Sequence, residues 1–272
     1  MQLAEKNLGE ITEDVANFAA YRQTKGMQVS SINSSLRVLR RLLPVAVEWG
    51  VIPTPLKIEL LRGERHRERV VTSAEEAKYL AAAPEPLASI ATVLVDSGMR
   101  PEECFRLRWE SVTWVNGRHG AVLVTHGKTA AARRMLPMTP RVRNILETLW
   151  ERTGKPVEGW IWEAPTASGH IESSSLKKQH ARTFKALAEQ AAESNERPVR
   201  PFVLYTLRHT FLTRLGASGC NVWTLARIAG HSSIAMSARY VHPNEDAVLN
   251  AMAQMLLSEI AESQEKRAAL RS

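Results

Sequence analysis

Leu204-Tyr-Thr-Leu-Arg-His-Thr210, then Ala229-Gly-His231, then Ala238-Arg-Tyr240, are the residues on which the reading of this chain turns. They set Arg208, His231 and Tyr240 in order at gaps of 23 and nine residues. An arginine, a histidine and a tyrosine are the types needed to hold a phosphodiester and attack it. The guanidinium fork stays charged and matches non-bridging oxygens in pairs. Taken singly, each residue has a plainer reading. An arginine among Leu204, Leu207, Phe211 and Leu212 ordinarily pairs with a carboxylate, a Gly-His step often caps a helix, and most tyrosines pack in cores.

Outward from this stretch the pattern is mainly helical. Pro198 and Pro201 break the chain ahead of it; from Thr206 onward three short helices are expected, stopped at Gly216, Gly230 and Pro243. A last amphipathic helix is expected from about Asn244 to Glu262, with Leu249, Met252, Met255, Leu256 and Ile260 on its stripe. Upstream, a long helix is expected over about 174–194. The period shortens between 111 and 138. Val112 to Trp114, a turn at Asn116-Gly117, Ala121 to Val124, and Arg134 to Met138 read as three strands. His126-Gly-Lys128-Thr lies at a loop tip between the last two, a helix opens at Thr139-Pro140, and Gly159 to Trp162 reads as a short strand or turn.

Further back, Ser73 with Glu76 forms a capping-box pattern for a helix to Ala83. A buried helix runs from about Pro86 to Ser97, Gly98 ends it, and Pro101 starts another. Arg100 follows Gly98 at that turn, and Glu103 is a candidate partner for Arg100 or Arg208. Residues 62–70, with Arg65 and Arg67, cannot build a core and read as a linker or a basic strap. Residues 1–61 form a first helical domain and 71–272 a second. In the first, Thr12 opens a helix carrying Val15, Phe18, Ala19 and Arg22, and Ser30-Ser31 is the expected cap of the next. That helix has Ile32, Leu36, Leu39, Leu42 and Leu43 on its apolar stripe, with Pro44 interrupting it. Arg37, Arg40 and Arg41 lie off the stripe, as a solvated face or a face for a DNA backbone.

The formal net charge of +8 suits a polyanionic partner, because lysine and arginine release counterions from phosphates. Two cysteines, Cys104 and Cys220, form no CxxC pair, which argues against a zinc site or a disulfide framework. No acidic cluster resembles a two-metal site, so no metal or other cofactor is expected. The N-terminus has no apolar run of signal-peptide type, no stretch is long enough to span a bilayer, and a cytoplasmic location is expected.

In combination the motifs resemble those of the tyrosine recombinases, the phage integrase family. Gly98-Met-Arg100-Pro-Glu-Glu103 with Leu107-Arg-Trp109 resembles the family's first arginine box. Gly127-Lys128 with Arg134-Met-Leu-Pro137 resembles its hairpin lysine and the strand behind it. Leu207-Arg208-His209-Thr210, Gly230-His231 and Arg239-Tyr240-Val-His242 resemble the second arginine box, the last histidine and the nucleophile. The resemblance implies a mainly α protein with a small antiparallel sheet, arranged as a two-domain clamp on double-stranded DNA, with residues 1–61 as a core-binding domain.

It further implies strand exchange through a 3′-phosphotyrosyl intermediate, without metal or ATP. Tyr240 would be the nucleophile, Arg100, Arg208 and His231 the phosphate contacts, Lys128 the general acid, and Glu103 the residue that orients the arginine. It implies a homotetramer on paired DNA sites, with a monomer when free as an open alternative, and a bacterial or phage origin near the nucleoid.

Two departures stand out. The second box usually reads His-x-x-Arg, and here Tyr205 takes the histidine's place. A phenol, with an ordinary pKa near 10, is a poor base at neutral pH but still donates a hydrogen bond. The first domain also looks short at its N-terminus. The alternatives are a DNA-binding protein of this fold that has lost catalysis, and a type IB topoisomerase-like enzyme.

Overall fold

The computed structural model describes residues 11–54, 57–64, 69–127 and 130–241, together with 253 and 255. The chain divides into two compact units, Met1–Glu68 and Arg69–Ser272. All of the expected C-terminal helix over 244–262 except residues 253 and 255, and the basic residues Arg65 and Arg67, lie outside the described residues.

In the first unit, helix α1 (Ile11–Thr24) packs on α2 (Val29–Glu48). Helix α2 starts ahead of the expected Ser30-Ser31 cap, after an extended Gln28 whose side chain makes no capping bond, and it runs on through Pro44. Ile32, Leu36 and Leu43 are fully buried with Ala19, Ile52 and Ile58. Leu42 departs from the expected stripe: it is exposed, like Val38. A stripe wide enough to include it would need a partner on a second side of the helix. Asn33, also buried, holds the chain that leaves this unit. Its Nδ2 donates to Leu61 O at 2.9 Å and its Oδ1 accepts from Leu61 N at 2.8 Å. Its Nδ2 also reaches Glu64, which pairs with Arg37 at 2.6 Å.

The second unit is built on α4 (Leu87–Ser97). Leu87, Ile90, Ala91, Val93, Leu94 and Val95 are all buried, so the helix is apolar nearly all round. Each larger aliphatic side chain here contributes about 1.5–3 kcal/mol by leaving water. Around it stand α3 (Ser73–Ala82), α6 (Pro140–Arg152), α7 (Ser173–Glu193) and α8 (Leu204–Ala217). Helix α8 starts two residues before the expected Thr206 and passes through Gly216.

The cap of α3 is one residue earlier than expected. Thr72 is extended, its hydroxyl accepts from Glu75 N, and its own N–H donates to the Glu75 carboxylate. Glu76 is instead buried, and it binds Arg141 at 2.8 Å and Arg214 at 2.6 Å, tying α3 to α6 and α8. A carboxylate committed to two guanidiniums is not available to close a capping box.

Three short antiparallel strands lie in the order β1 (Val112–Thr113), β2 (Ala121–Val124), β3 (Arg134–Pro137). The register pairs Val122 with Leu136 and Val124 with Arg134. Alternation along β3 buries Arg134 and Leu136 and exposes Met135 and Pro137. Gly159 to Trp162 forms no strand of its own; Trp160 makes an isolated bridge with Arg108.

The turn after α4 sets up the site. Gly98 caps α4 in the left-handed region at φ 65°, and a Cβ there would run into the Phe211 ring of α8. Both the dihedral and the close approach require glycine. The chain therefore leaves α4 directly beside α8 and enters α5 (Pro101–Phe105) with Arg100 at its N-cap.

Candidate active site

Arg208 is 1% exposed and is the largest of the fully buried side chains. Among the described residues no carboxylate hydrogen-bonds it. Its Nη1 donates to Gly98 O at 2.6 Å and its Nη2 to Ala229 O at 2.7 Å. Those carbonyls end α4 and α9 (Val222–Ala229), where helix carbonyls lack intrahelical partners and carry partial negative charge. Two helix C-termini thus take the place of the expected acid. Burial, and then the neighbouring Arg100, lower its pKa to about 10. It is still charged at neutral pH, and Glu103 opposes the lowering through space rather than by a hydrogen bond.

Arg100 reaches the same turn. Its Nη2 donates to Gly230 O at 3.3 Å, while its Nη1 binds Glu103 at 2.7 Å. The backbone N–H of Arg100 also donates to Glu103, at 2.9 Å. Glu103 is buried and shared: Arg134 of β3 pairs with it at 2.8 Å. Burial alone would raise the Glu103 pKa, but the bonds and charge of Arg134 outweigh it, and the carboxyl is held below its usual range. Arg134 in turn donates to Ile228 O at 2.6 Å and Ala132 O at 2.7 Å, pinning β3 to the end of α9. Sequence reasoning reads this residue only as part of a strand. The signal is an arginine in the inward register of Leu136, a position that requires a buried acid.

His231 follows the left-handed Gly230 that ends α9. Its Nε2 lies 3.1 Å from Arg208 Nη2 and its Nδ1 lies 2.7 Å from Ser237 Oγ in α10 (Ala235–Ala238). Burial, then Arg208 and Arg100, lower its pKa to about 4. It is therefore neutral at pH 7. Arginine only donates, so Nε2 is the acceptor and the ring proton sits on Nδ1, facing Ser237.

Tyr240 packs on the small cluster of Leu212, Leu225 and Ala229. Its hydroxyl lies 3.3 Å from His209 Nδ1, and its ring is tilted against that imidazole at 5.3 Å. The His231 ring is stacked at 6.4 Å on it. Burial raises its pKa, against the opposing pull of Arg239. Its backbone lies against Gly216 of α8, where a Cβ would overlap the Tyr240 carbonyl. Gly216→Ala is expected to lower stability, because the overlap is with backbone that must shift and exceeds the about 0.5–1 kcal/mol that alanine gains in a helix. It should also displace Tyr240 and slow any reaction at its hydroxyl by about 10²-fold, more than the loss of folded protein accounts for. Reaction rate against melting temperature separates the two effects.

Tyr205 is 45% exposed, on the first turn of α8, close to both Arg208 and Tyr240. Lys128 lies outside the described residues. Gly127, just before it, faces Ala132 and approaches Glu103, so the base of that loop lies beside the site. Arg40 and Arg41 are exposed on α2 in the other unit, and Arg37 there is engaged by Glu64. Among the described residues no group of three or more His, Cys, Asp or Glu could hold a metal ion, and no helix is long and apolar enough to cross a membrane.

Residues 67–247 match the model of the phage integrase family. A shufflon-specific DNA recombinase of Escherichia coli is 27% identical over 260 residues, covering 88% of this chain and 60% of its own length. A putative integrase/recombinase of Sinorhizobium fredii is 25% identical, covering 84% of this chain and 86% of that protein. The tyrosine recombinase XerD of Brucella abortus is 29% identical, covering 59% of this chain and 49% of that protein. Among solved structures, the Tn1549 transposon integrase in complex with circular intermediate DNA superposes with a TM-score of 0.70 at 20% identity, over 90% of this chain and 86% of that one. The XerH recombinase bound to its palindromic substrate gives a TM-score of 0.61 at 18% identity, over 89% and 69%.

Proposed function

The chain belongs to the phage integrase family, the tyrosine recombinases, and from that premise we propose that it is a site-specific DNA recombinase working through a 3′-phosphotyrosyl intermediate. The observation that carries this reading is the convergence of two distant arginines on three consecutive residues. Arg208 meets Ala229 and His231, and Arg100 meets Gly230. Two guanidiniums held beside a tyrosine suit a phosphodiester.

Tyr240 attacks the scissile phosphorus, forming a phosphotyrosine and releasing a 5′-hydroxyl. Arg100 and Arg208 hold the non-bridging oxygens, a contribution worth about 10²–10³-fold for each preorganised donor. Burial and the arginines hold His231 neutral, and the incoming phosphate charge opposes the arginines, which favours the protonated ring that donates to the same oxygens. Lys128 protonates the leaving 5′-oxygen. Glu103 orients Arg100. Attack by the 5′-hydroxyl of a partner strand rejoins the DNA, so bond energy is retained without ATP. Paired double-stranded sites and a homotetramer complete the reading.

The test is to incubate the protein with duplexes whose randomised cores carry a nick, so that the short cleaved end diffuses away. Covalent adducts are then isolated on denaturing gels and sequenced. Recovery of a shared sequence supports the proposal. DNA binding without adducts favours the reading in which catalysis is lost, and relaxation of plasmids without sequence preference favours a topoisomerase-like activity.

The first unit is proposed as the core-binding domain, with Arg40 and Arg41 laid on the DNA backbone. Each phosphate contact contributes about 0.9 to the slope of log affinity against log salt. Arg40→Gln with Arg41→Gln should lower that slope by about two contacts. Arg37→Gln should lower it less, because Glu64 already holds that guanidinium. An unchanged slope in the double variant removes this assignment.

A further inference from the structure

We propose that His209 is the proton acceptor for Tyr240, taking over at the next turn of α8 the role left open where Tyr205 stands. The inference rests on the phosphotyrosyl reading above and names a further catalytic residue within it. Tyr205 and His209 are four apart on one helix, so both side chains lie on the same face. Tyr240 sits beside that face. Its hydroxyl is 3.3 Å from His209 Nδ1, a long hydrogen bond of the kind that tightens when a substrate closes the site. The two rings are in contact at 5.3 Å.

Among the described residues, the other titratable or charged groups around the pair are Tyr205 and Arg208 on α8 itself, and His231 and Arg239 on the segment that carries Tyr240. Neither arginine accepts a proton. His231 is turned to Arg208 and Ser237. Tyr205 is a phenol like the one to be deprotonated, and two phenols of similar ordinary acidity give no driving force for the transfer. Of the groups placed at the Tyr240 oxygen, His209 is an imidazole, whose ordinary pKa near 6.5 suits a base at neutral pH.

With its proton on Nε2, His209 offers the Nδ1 lone pair to the hydroxyl. The Oη–H bond of Tyr240 breaks and the proton moves to Nδ1 as the oxygen bonds to phosphorus. The bond from phosphorus to the 5′-oxygen breaks, and that oxygen leaves with the proton supplied by Lys128. Rejoining reverses each transfer, and the imidazolium returns its proton to the departing Tyr240.

The test uses the nicked duplex captured from the randomised pool, made with either oxygen or sulfur at the 5′ leaving position. His209→Asn keeps an amide near the place of Nδ1, and His209→Gln is measured beside it so that a packing defect in one variant does not stand in for chemistry. Both are expected to bind the duplex as tightly as the unaltered protein and to form adduct about 10²-fold more slowly near neutral pH. Sulfur should not restore the rate, because a better leaving group helps only the other end of the reaction. The deficit should narrow as the pH rises toward the ionisation of the phenol itself. An unchanged rate, a deficit that is the same at every pH, or rescue by sulfur overturns the assignment while leaving the enzyme reading intact. Failure of the unaltered chain to form any adduct overturns both.

Discussion

Tyr240→Phe is expected to abolish covalent attachment to DNA and to leave the fold and DNA affinity nearly unchanged. The ring packs against the cluster of Leu212, Leu225 and Ala229, and phenylalanine fills that volume. The hydroxyl's one described hydrogen bond is the long contact with His209, so its removal costs about 0.5–1.5 kcal/mol at most. A nucleophile has no partial substitute, so the rate falls to the background rather than by a factor. Adduct formation on a denaturing gel and duplex affinity by anisotropy are measured on the same preparation. Adduct formation by the phenylalanine variant would show that another side chain attacks.

Glu103→Ala is expected to cost about 3–5 kcal/mol of stability, because it leaves the buried Arg134 guanidinium without its counter-charge. The carbonyls of Ile228 and Ala132 remain as partners, but they supply dipoles and no neutralising charge. Arg100 loses the bond that orients it as well, so cleavage falls further than the loss of folded protein explains. Urea unfolding gives the first number and single-turnover cleavage under stabilising conditions the second.

The dependence on pH has a definite sign. The Glu103 pKa is lowered in the folded state from an ordinary 4.5. Its contribution is therefore complete above 4.5 and is lost as the pH falls through the lower folded value. The gap between the unaltered protein and Glu103→Ala should close over that acidic window and stay constant above it.

The sheet and the central helix are readable before any coordinates. Ala121 to Val124 is a short apolar run between turn signals, Arg134 to Pro137 alternates as a strand does, and the run from Leu87 to Val95 is too apolar for a helix with a wet face. Arg100, Arg208, His231 and Tyr240 are likewise singled out by local context and order. What holds them is not readable. The partners of Arg208 are carbonyls, and any residue has a carbonyl, so side-chain types give no hint of Gly98 O and Ala229 O.

Arg134 is hidden for a related reason. Its inward register is visible, but the choice of Glu103 over another acid depends on how α5 sits against β3. The Thr72 cap differs from the expected Ser73 by one residue because Glu76 is drawn away by two arginines distant in sequence. The contact between His209 and Tyr240 joins residues 31 apart and becomes apparent only with α8 and the Tyr240 segment in place.

The measurement that bears most directly on the account is mass-spectrometric mapping of the linkage in a trapped protein–DNA adduct. The predicted result is a phosphodiester between the Tyr240 phenol and a DNA 3′ end, with a free 5′-hydroxyl on the released strand. Linkage at Tyr205 or any other residue, or attachment through a 5′-phosphate, would contradict it.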